Sequence, residues 1–336
     1  MTAVPEPILA PTFRLQVLGC KVSQYDAGRL EEALFQLGFQ AAPETVAPDL
    51  FVLQSCAVTG RASQKTRQML HAAHRRRPDG KTLLVGCEAR LRDLRHDETT
   101  DADAVLLPDW SREDLIRTLT HLGFCSPLPR ISAADAVPAS GATLPVPGLA
   151  LPDEDEKPMD LVEGRSRSSA LRTRAFLKIQ DGCNQFCTYC IVPHLRGPEV
   201  SRPAAEILTE AGRQVQEGFQ EIVLTGIHLG RYAFGLENLL AGLDTLPGLH
   251  RIRVSSIDPH EIGDGLLDWL ERSPKACCHL HLPLQSGSDE ILRRMNRPYD
   301  TRLFSDLLAK LRRRFPGIAI SSILCADSLN CPKSSI

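Results

Sequence analysis

A chain of 336 residues, 43% hydrophobic and 24% charged, is long enough for two domains that each bury a core. Its formal net charge of −2 excludes a global field towards nucleic acid or an anionic membrane, so RNA contact falls to local basic patches. No apolar run approaches the ~20 residues of a membrane span, and the opening Met1-Thr-Ala-Val-Pro-Glu-Pro7 lacks a secretory pattern.

The spacing predicts a strand over 13–18 that ends at Gly19-Cys20, then a helix over 23–37 with Ser23 as N-cap and Gly38 as stop. A second strand over 49–54 closes at Ser55-Cys56, and a helix over 63–77 stops at Pro78. A third strand over 82–85 finishes at Gly86-Cys87, followed by a short strand over 104–107 and a helix over 112–122. Strand–helix alternation with apolar strand runs predicts an α/β unit over 13–125, an open and mainly parallel sheet.

Cys20, Cys56 and Cys87 each follow the end of a strand, the rim where such sheets hold ligands. Any one alone reads as core packing, but three at equivalent places predict a metal cluster. Cys125 lies outside this pattern and reads as structural. The eleven cysteines, odd in number and mostly far apart, predict a reduced, cytoplasmic protein without disulfides.

From 126 to 170 the pattern dissolves into Pro, Ala and Ser and then the acidic Asp153-Glu-Asp-Glu156, which predicts a linker. Arg165, Arg167, Arg172 and Arg174 follow, either a phosphate-contacting group or a solvated face.

The second unit, 171–324, opens with a strand over 175–180. Five strand–helix repeats, with later strands over 221–226, 251–256, 279–284 and 317–324, predict a parallel β/α barrel or part of one, its site at the carboxyl rim. There Cys183, Cys187 and Cys190 stand as C-x3-C-x2-C with Tyr189 before the last cysteine. Three thiolates cannot close a tetrahedral zinc site alone but can hold three corners of a cubane cluster, leaving one iron open. A zinc knuckle that borrows His194, or a set of reduced core cysteines, is the alternative.

Taken together, these stretches resemble the radical S-adenosylmethionine methylthiotransferases. The match lies in Leu18-Gly-Cys-Lys-Val-Ser-Gln-Tyr25, Gln54-Ser-Cys-Ala-Val-Thr59, Val85-Gly-Cys87, 178–193 with Arg196-Gly197, Leu282-Pro-Leu-Gln-Ser-Gly-Ser288 and Arg293-Arg-Met-Asn-Arg-Pro-Tyr299. The resemblance implies two 4Fe–4S clusters, one on Cys20, Cys56 and Cys87 and one on Cys183, Cys187 and Cys190. It also implies S-adenosylmethionine at the second cluster, with contacts from Tyr189, Gly226, Ser256 and Gln285. By resemblance the second cluster generates a radical that abstracts hydrogen from adenine C2, and the first presents a methylated sulfur.

Leu224-Thr-Gly-Ile-His228 resembles the subgroup that methylthiolates N6-threonylcarbamoyladenosine beside the tRNA anticodon. His228 itself reads equally as a packed strand-end histidine. The partners implied are the anticodon loop and an electron donor such as flavodoxin or ferredoxin. The alternatives are an inactive iron–sulfur-binding fragment, or an enzyme acting on isopentenyladenosine tRNA or a ribosomal protein.

Two departures from the family pattern stand out. Ser23 replaces an asparagine, and residues 325–336 show neither periodicity nor motif. The second departure predicts a truncated or frame-shifted end, without the C-terminal RNA-binding domain. The barrel would then be incomplete, with an open edge, and activity poor.

Overall fold

The computed structural model describes residues 10–96, 102–124 and 173–325. Cys125, the predicted linker over 126–170 and the tail beyond Cys325 lie outside the described residues.

The first unit is a five-stranded parallel sheet. Its strands are β1 (Thr12–Val17), β2 (Gln40–Ala41), β3 (Leu50–Ser55), β4 (Lys81–Gly86) and β5 (Ala104–Leu106), ordered β2-β1-β3-β4-β5. β3 is central and buried along its whole length, as an apolar run covered on both faces requires. The helices are α1 (Lys21–Gln36), α2 (Gly60–Arg76), α3 (Cys87–Leu94) and α4 (Arg112–His121). Leu30 and Leu34 of α1 and Leu115 and Leu119 of α4 join Phe13 and Leu83 in one core. Leu70 of α2 packs with Leu53 and Leu84 in another. Fully burying one such leucine stabilises by roughly 1.5–3 kcal/mol.

Three local expectations change. α1 starts at Lys21, and Ser23 is not its cap but a residue 1% exposed inside the first turn. Cys20 takes the extended N-cap position, so a thiol rather than a serine hydroxyl marks the helix start. α2 begins at Gly60, capped by the Thr59 side chain accepting from the Ala62 amide at 3.2 Å. Cys87 opens α3, a helix its sequence conceals, because Glu88 and Arg92 are buried and face each other at 3.4 Å.

The second unit is an arc of five parallel strands, not a closed barrel. β6 (Arg174–Lys178), β9 (Glu221–Thr225) and β10 (Arg251–Val254) form one sheet, and β11 (His279–His281) pairs with β12 (Ala319–Ser321). Two parallel bridges, Ile252↔Ala276 and Ser256↔His281, join the two parts. A short antiparallel pair, β7 (Gln180–Asp181) with β8 (Val200–Ser201), pins the loop that carries the second cysteine triad.

Helices α5 (Val192–Arg196), α6 (Ala204–Gln216), α7 (Leu236–Asp244), α8 (Asp264–Arg272), α9 (Asp289–Arg294) and α10 (Thr301–Arg314) complete the unit. One face of each strand, as in Leu177, Leu224, Ile252 and Leu280, packs with helical residues such as Leu240 and Leu311. β12 is an edge strand, and beyond it Ile323 and Leu324 are 52% and 63% exposed. α1 lies between the units, packing on its own sheet and on β6.

Candidate metal centres

Cys20 and Cys87 stand at the N-terminal ends of α1 and α3, and Cys56 follows β3 directly. The three thiols lie close enough that each of Cys56 and Cys87 feels the charge of the other two or of Cys20. Burial raises both thiols above their ordinary range, so any metal that takes them releases protons. Gln54, two residues before Cys56 and 1% exposed, leaves both amide atoms without a partner. Its Nε2 sits against Gly86, whose φ of +95° turns the chain towards Cys87. An orphaned buried amide at this rim fits a polar group seated among the three thiols.

The second triad sits in a loop held from two sides. Gly182 has φ +70°, and a Cβ there would run into the Pro198 carbonyl, so only glycine lets the loop close on 197–198. Cys183 N–H donates to the Gly197 carbonyl at 3.1 Å. The 294–297 segment straps the far side. Asn296 Nδ2 donates to the Gln185 and Phe186 carbonyls at 3.2 Å each, and Thr188 Oγ1 donates to the Arg294 carbonyl at 3.0 Å. The Arg293–Tyr299 motif is thus the fastening of the cysteine loop.

Arg297, 6% exposed in its side chain, makes three bonds from this strap. Nη1 donates to Cys187 Sγ at 3.2 Å, Nη2 to Asp258 Oδ1 at 2.5 Å and Nε to Tyr299 Oη at 3.1 Å. Burial raises the Cys187 and Cys190 thiols, and Arg297 opposes that rise at both.

Among the described residues, the groups whose ligand atoms all lie within 4.8 Å are Cys183–Glu199–His228 and His228–Asp258–Glu261. Neither cysteine triad is one of them. A single tetrahedral zinc would draw its sulfurs to about 3.8 Å of one another, so each triad spans more than a one-ion site. His194 is exposed and packs edge-on to Phe186, with centroids 5.9 Å apart, rather than joining either group. The spread and the arginine donor fit a cluster of several metals.

His228 is neither exposed nor merely packed. It is 7% exposed, with Nδ1 3.0 Å from Glu199 Oε1 and 3.6 Å from Cys183 Sγ, and Nε2 2.9 Å from Glu261 Oε1. Burial disfavours its charge, yet the contact with Cys183 and the nearby charge of Glu261 outweigh that and push its pKa up to about 10.

Of the four residues expected at S-adenosylmethionine, three lie just beyond strands of the arc and one lies in the cysteine loop. Gly226 follows β9, Ser256 and Gln285 lie beyond β10 and β11, and Tyr189 is half-buried among Cys187, Cys190 and Cys325. A Cβ at Gly226 would come within 3.1 Å of the Gln180 carbonyl, so this glycine lets two strand ends close. Ser256 is exposed and bridges to His281. Gln285 has φ +66°, and its carbonyl accepts from the Cys325 amide at 2.9 Å.

A buried ionic joint connects the triads. Asp26 of α1 pairs with Lys178 Nζ at 2.6 Å and with Arg196 Nη2 at 3.0 Å. Arg196 and Lys178 also hold Asp181, at 3.0 and 2.9 Å. Burial alone would raise the Asp181 carboxyl, but Arg196 and Lys178 hold it below the usual range. Arg196, 2% exposed in its side chain, also interacts with Cys87. Leu195 packs on Cys87 and Leu91 beside it. Arg202 adds Tyr25 Oη at 2.9 Å, and Tyr25 donates to Glu210 at 3.0 Å. Arg196 appears in the motif Arg196-Gly197, but its partners lie far off in sequence and no periodicity announces them.

The nine described cysteines are free thiols. No helix among the described residues is long and apolar enough to cross a membrane.

Residues 177–326 match the Radical SAM superfamily, and residues 12–107 match a family described as uncharacterized protein family UPF0004. The threonylcarbamoyladenosine tRNA methylthiotransferase MtaB of Bacillus subtilis is 34% identical over 93% of this chain and 66% of its own length. Its counterpart in Thermotoga maritima is 31% identical, over 93% and 67%. The tRNA-2-methylthio-N(6)-dimethylallyladenosine synthase of Zymomonas mobilis is 32% identical, over 92% and 66%. The chain therefore spans about two thirds of the length of these relatives.

Among solved structures, the radical S-adenosylmethionine methyltransferase TsrM of Kitasatospora setae aligns with a TM-score of 0.58 at 16% identity, over 94% of this chain and 66% of that one. The cobalamin-dependent radical enzyme OxsB aligns with a TM-score of 0.57 at 13% identity, over 94% and 49%. At such identities the likeness concerns the fold alone. By its sequence relatives and family matches, the chain belongs to the radical S-adenosylmethionine methylthiotransferase family.

Proposed function

We propose that the chain methylthiolates C2 of N6-threonylcarbamoyladenosine next to the tRNA anticodon. In this reading residues 13–125 are the methylthiotransferase domain and 171–324 the radical core. The observation that carries it is the ionic joint around Arg196, which brings two separate cysteine triads to one interface. A binding protein with one cluster needs no such arrangement, whereas a reaction with an initiating and a donating site does. Relatives of 31–35% identity named for threonylcarbamoyladenosine support the substrate.

Cys183, Cys187 and Cys190 would hold one 4Fe–4S cluster beside S-adenosylmethionine, and Cys20, Cys56 and Cys87 a second. When bound, these groups supply the electron, the radical and the transferred sulfur. The chain's own part is positioning. Arg297 donates to Cys187 and fixes it against Asp258. Arg196 holds the first triad against the second loop, and His228 balances Glu199 and Glu261 beside Cys183. An electron donor of the flavodoxin or ferredoxin kind and a cytoplasmic site of action belong to the same reading.

The test is anaerobic reconstitution followed by mass spectrometry of anticodon stem–loops. The unchanged chain is expected to bind close to eight irons, four per cubane. Cys56→Ala should still release 5′-deoxyadenosine but transfer no sulfur, and Cys187→Ala should do neither. Zinc in place of iron, or methylthio product from Cys56→Ala, overturns the reading.

A further inference from the structure

Because Ile252, Val254, Leu280 and Ile320 pack on the helices, the alternate residues of β10, β11 and β12 face the concave side of the arc. That side carries Arg253, His279, His281 and Ser321, with Ser255 just beyond β10. Ser321 Oγ lies 3.0 Å from His279 Nε2 and 2.9 Å from His281 Nδ1. His279 Nδ1 is buried without a partner.

Into this group reaches a residue of the first unit. Lys21, adjacent to Cys20, donates from Nζ to Ser255 Oγ at 3.1 Å. Ser255 in turn precedes Ser256, one of the residues expected at S-adenosylmethionine. Lys21 thus stands one residue from a position of each proposed cofactor site, and it is still open to solvent.

The local charge is one-sided. Glu221 is shared among Arg253 at 3.1 Å, Arg251 at 3.3 Å and Arg174 at 3.9 Å. Among the described residues no carboxylate lies within 4.0 Å of Lys21 Nζ. The pKa values of His279 and His281 are lowered by burial and then by the neighbouring cations, Lys21 among them. One carboxylate, Glu221, serves three arginines and none reaches Lys21, an excess of positive charge that favours an anionic ligand.

We propose that Lys21, with His279, His281 and Ser321 around it, receives the carboxylate of an acidic N6 substituent on the target adenosine. The proposal rests on the methylthiotransferase reading above and deepens it. A threonylcarbamoyl group ends in a carboxylate and a hydroxyl, which the ammonium, imidazoles and serine can bind. A hydrocarbon substituent would desolvate Lys21 and return nothing, so the same group selects against it.

The test measures binding of the full chain to three anticodon stem–loops by fluorescence anisotropy at one fixed salt. One carries threonylcarbamoyladenosine, one its neutral carboxamide analogue and one dimethylallyladenosine. The unchanged chain should favour the acid over its amide by about tenfold, the worth of one charged hydrogen bond. Lys21→Met should bring that ratio to about one, and Lys21→Arg should keep most of it. Equal binding of acid and amide by the unchanged chain, or an intact preference in Lys21→Met, overturns the role of Lys21 and leaves the substrate reading standing. Preference for the dimethylallyl loop over both others removes the substrate reading itself.

Discussion

Cys183, Cys187 and Cys190 fall within one loop, whereas Cys20, Cys56 and Cys87 come from three separate strand ends of the first sheet. The local triad needs only its loop, closed at Gly182 and strapped by Asn296 and Arg297. The dispersed triad exists only when β1, β3 and β4 are in register, which makes it a reporter of the whole first unit. Fold damage in that sheet and damage to the strap should therefore erase different halves of the chemistry.

The largest effect is expected at the joint. Asp26→Ala leaves Lys178 and Arg196 short of a buried partner and should cost on the order of 3–5 kcal/mol. Urea unfolding should then split into two transitions, one per unit. A single transition with an unchanged midpoint would show that the units hold together by other means.

Leu53→Ala, at a residue 0% exposed in β3, should cost about 3 kcal/mol. After reconstitution its iron content should fall towards half, the dispersed triad failing while the local one still loads. Loss of both halves together would contradict the separation. Arg297→Met should cost about 2 kcal/mol for its charged hydrogen bonds, read from the urea midpoint of the metal-free chain. Arg297→Lys should not restore it, since a lysine cannot reach Cys187, Asp258 and Tyr299 in one plane.

The smallest effect lies in the first unit away from both triads. Burial would raise the Asp49 carboxyl, but bonds from Thr12 and the charge of Arg77 hold it below the ordinary range. Its contribution is thus present above the unfolded pKa of about 3.9 and lost as pH falls through the folded value. Asp49→Asn should flatten the stability curve below about pH 5 by about 1 kcal/mol. An unchanged acid slope would place the titration elsewhere.

Much of this was legible in the chain. The run Asp49-Leu-Phe-Val-Leu-Gln54 announces a strand, and the Gly-Cys and Ser-Cys endings place thiols on the rim of the sheet. The five arc strands appear where apolar residues recur between helical stretches. The start of α1 was not legible, because Cys20 caps without a side-chain bond and Ser23 looks like the better cap. α3 escaped because its buried face includes an ion pair instead of an apolar stripe. In the site, one cysteine triad was expected from spacing and the other from strand ends, but Arg196, Arg297 and Lys21 could not be given partners. Those contacts join residues on different elements, and one-dimensional periodicity does not encode them.

Gly182 gives the loop an unusual leverage. Its neighbour Asp181 is held by Lys178 and Arg196, and through them by Asp26 of the other unit. A single methyl at position 182 would push 197–198 away and pull on that chain of charges. A saturation library of the loop should accordingly find position 182 closed to all nineteen replacements, while exposed Asn184, two residues on, accepts many.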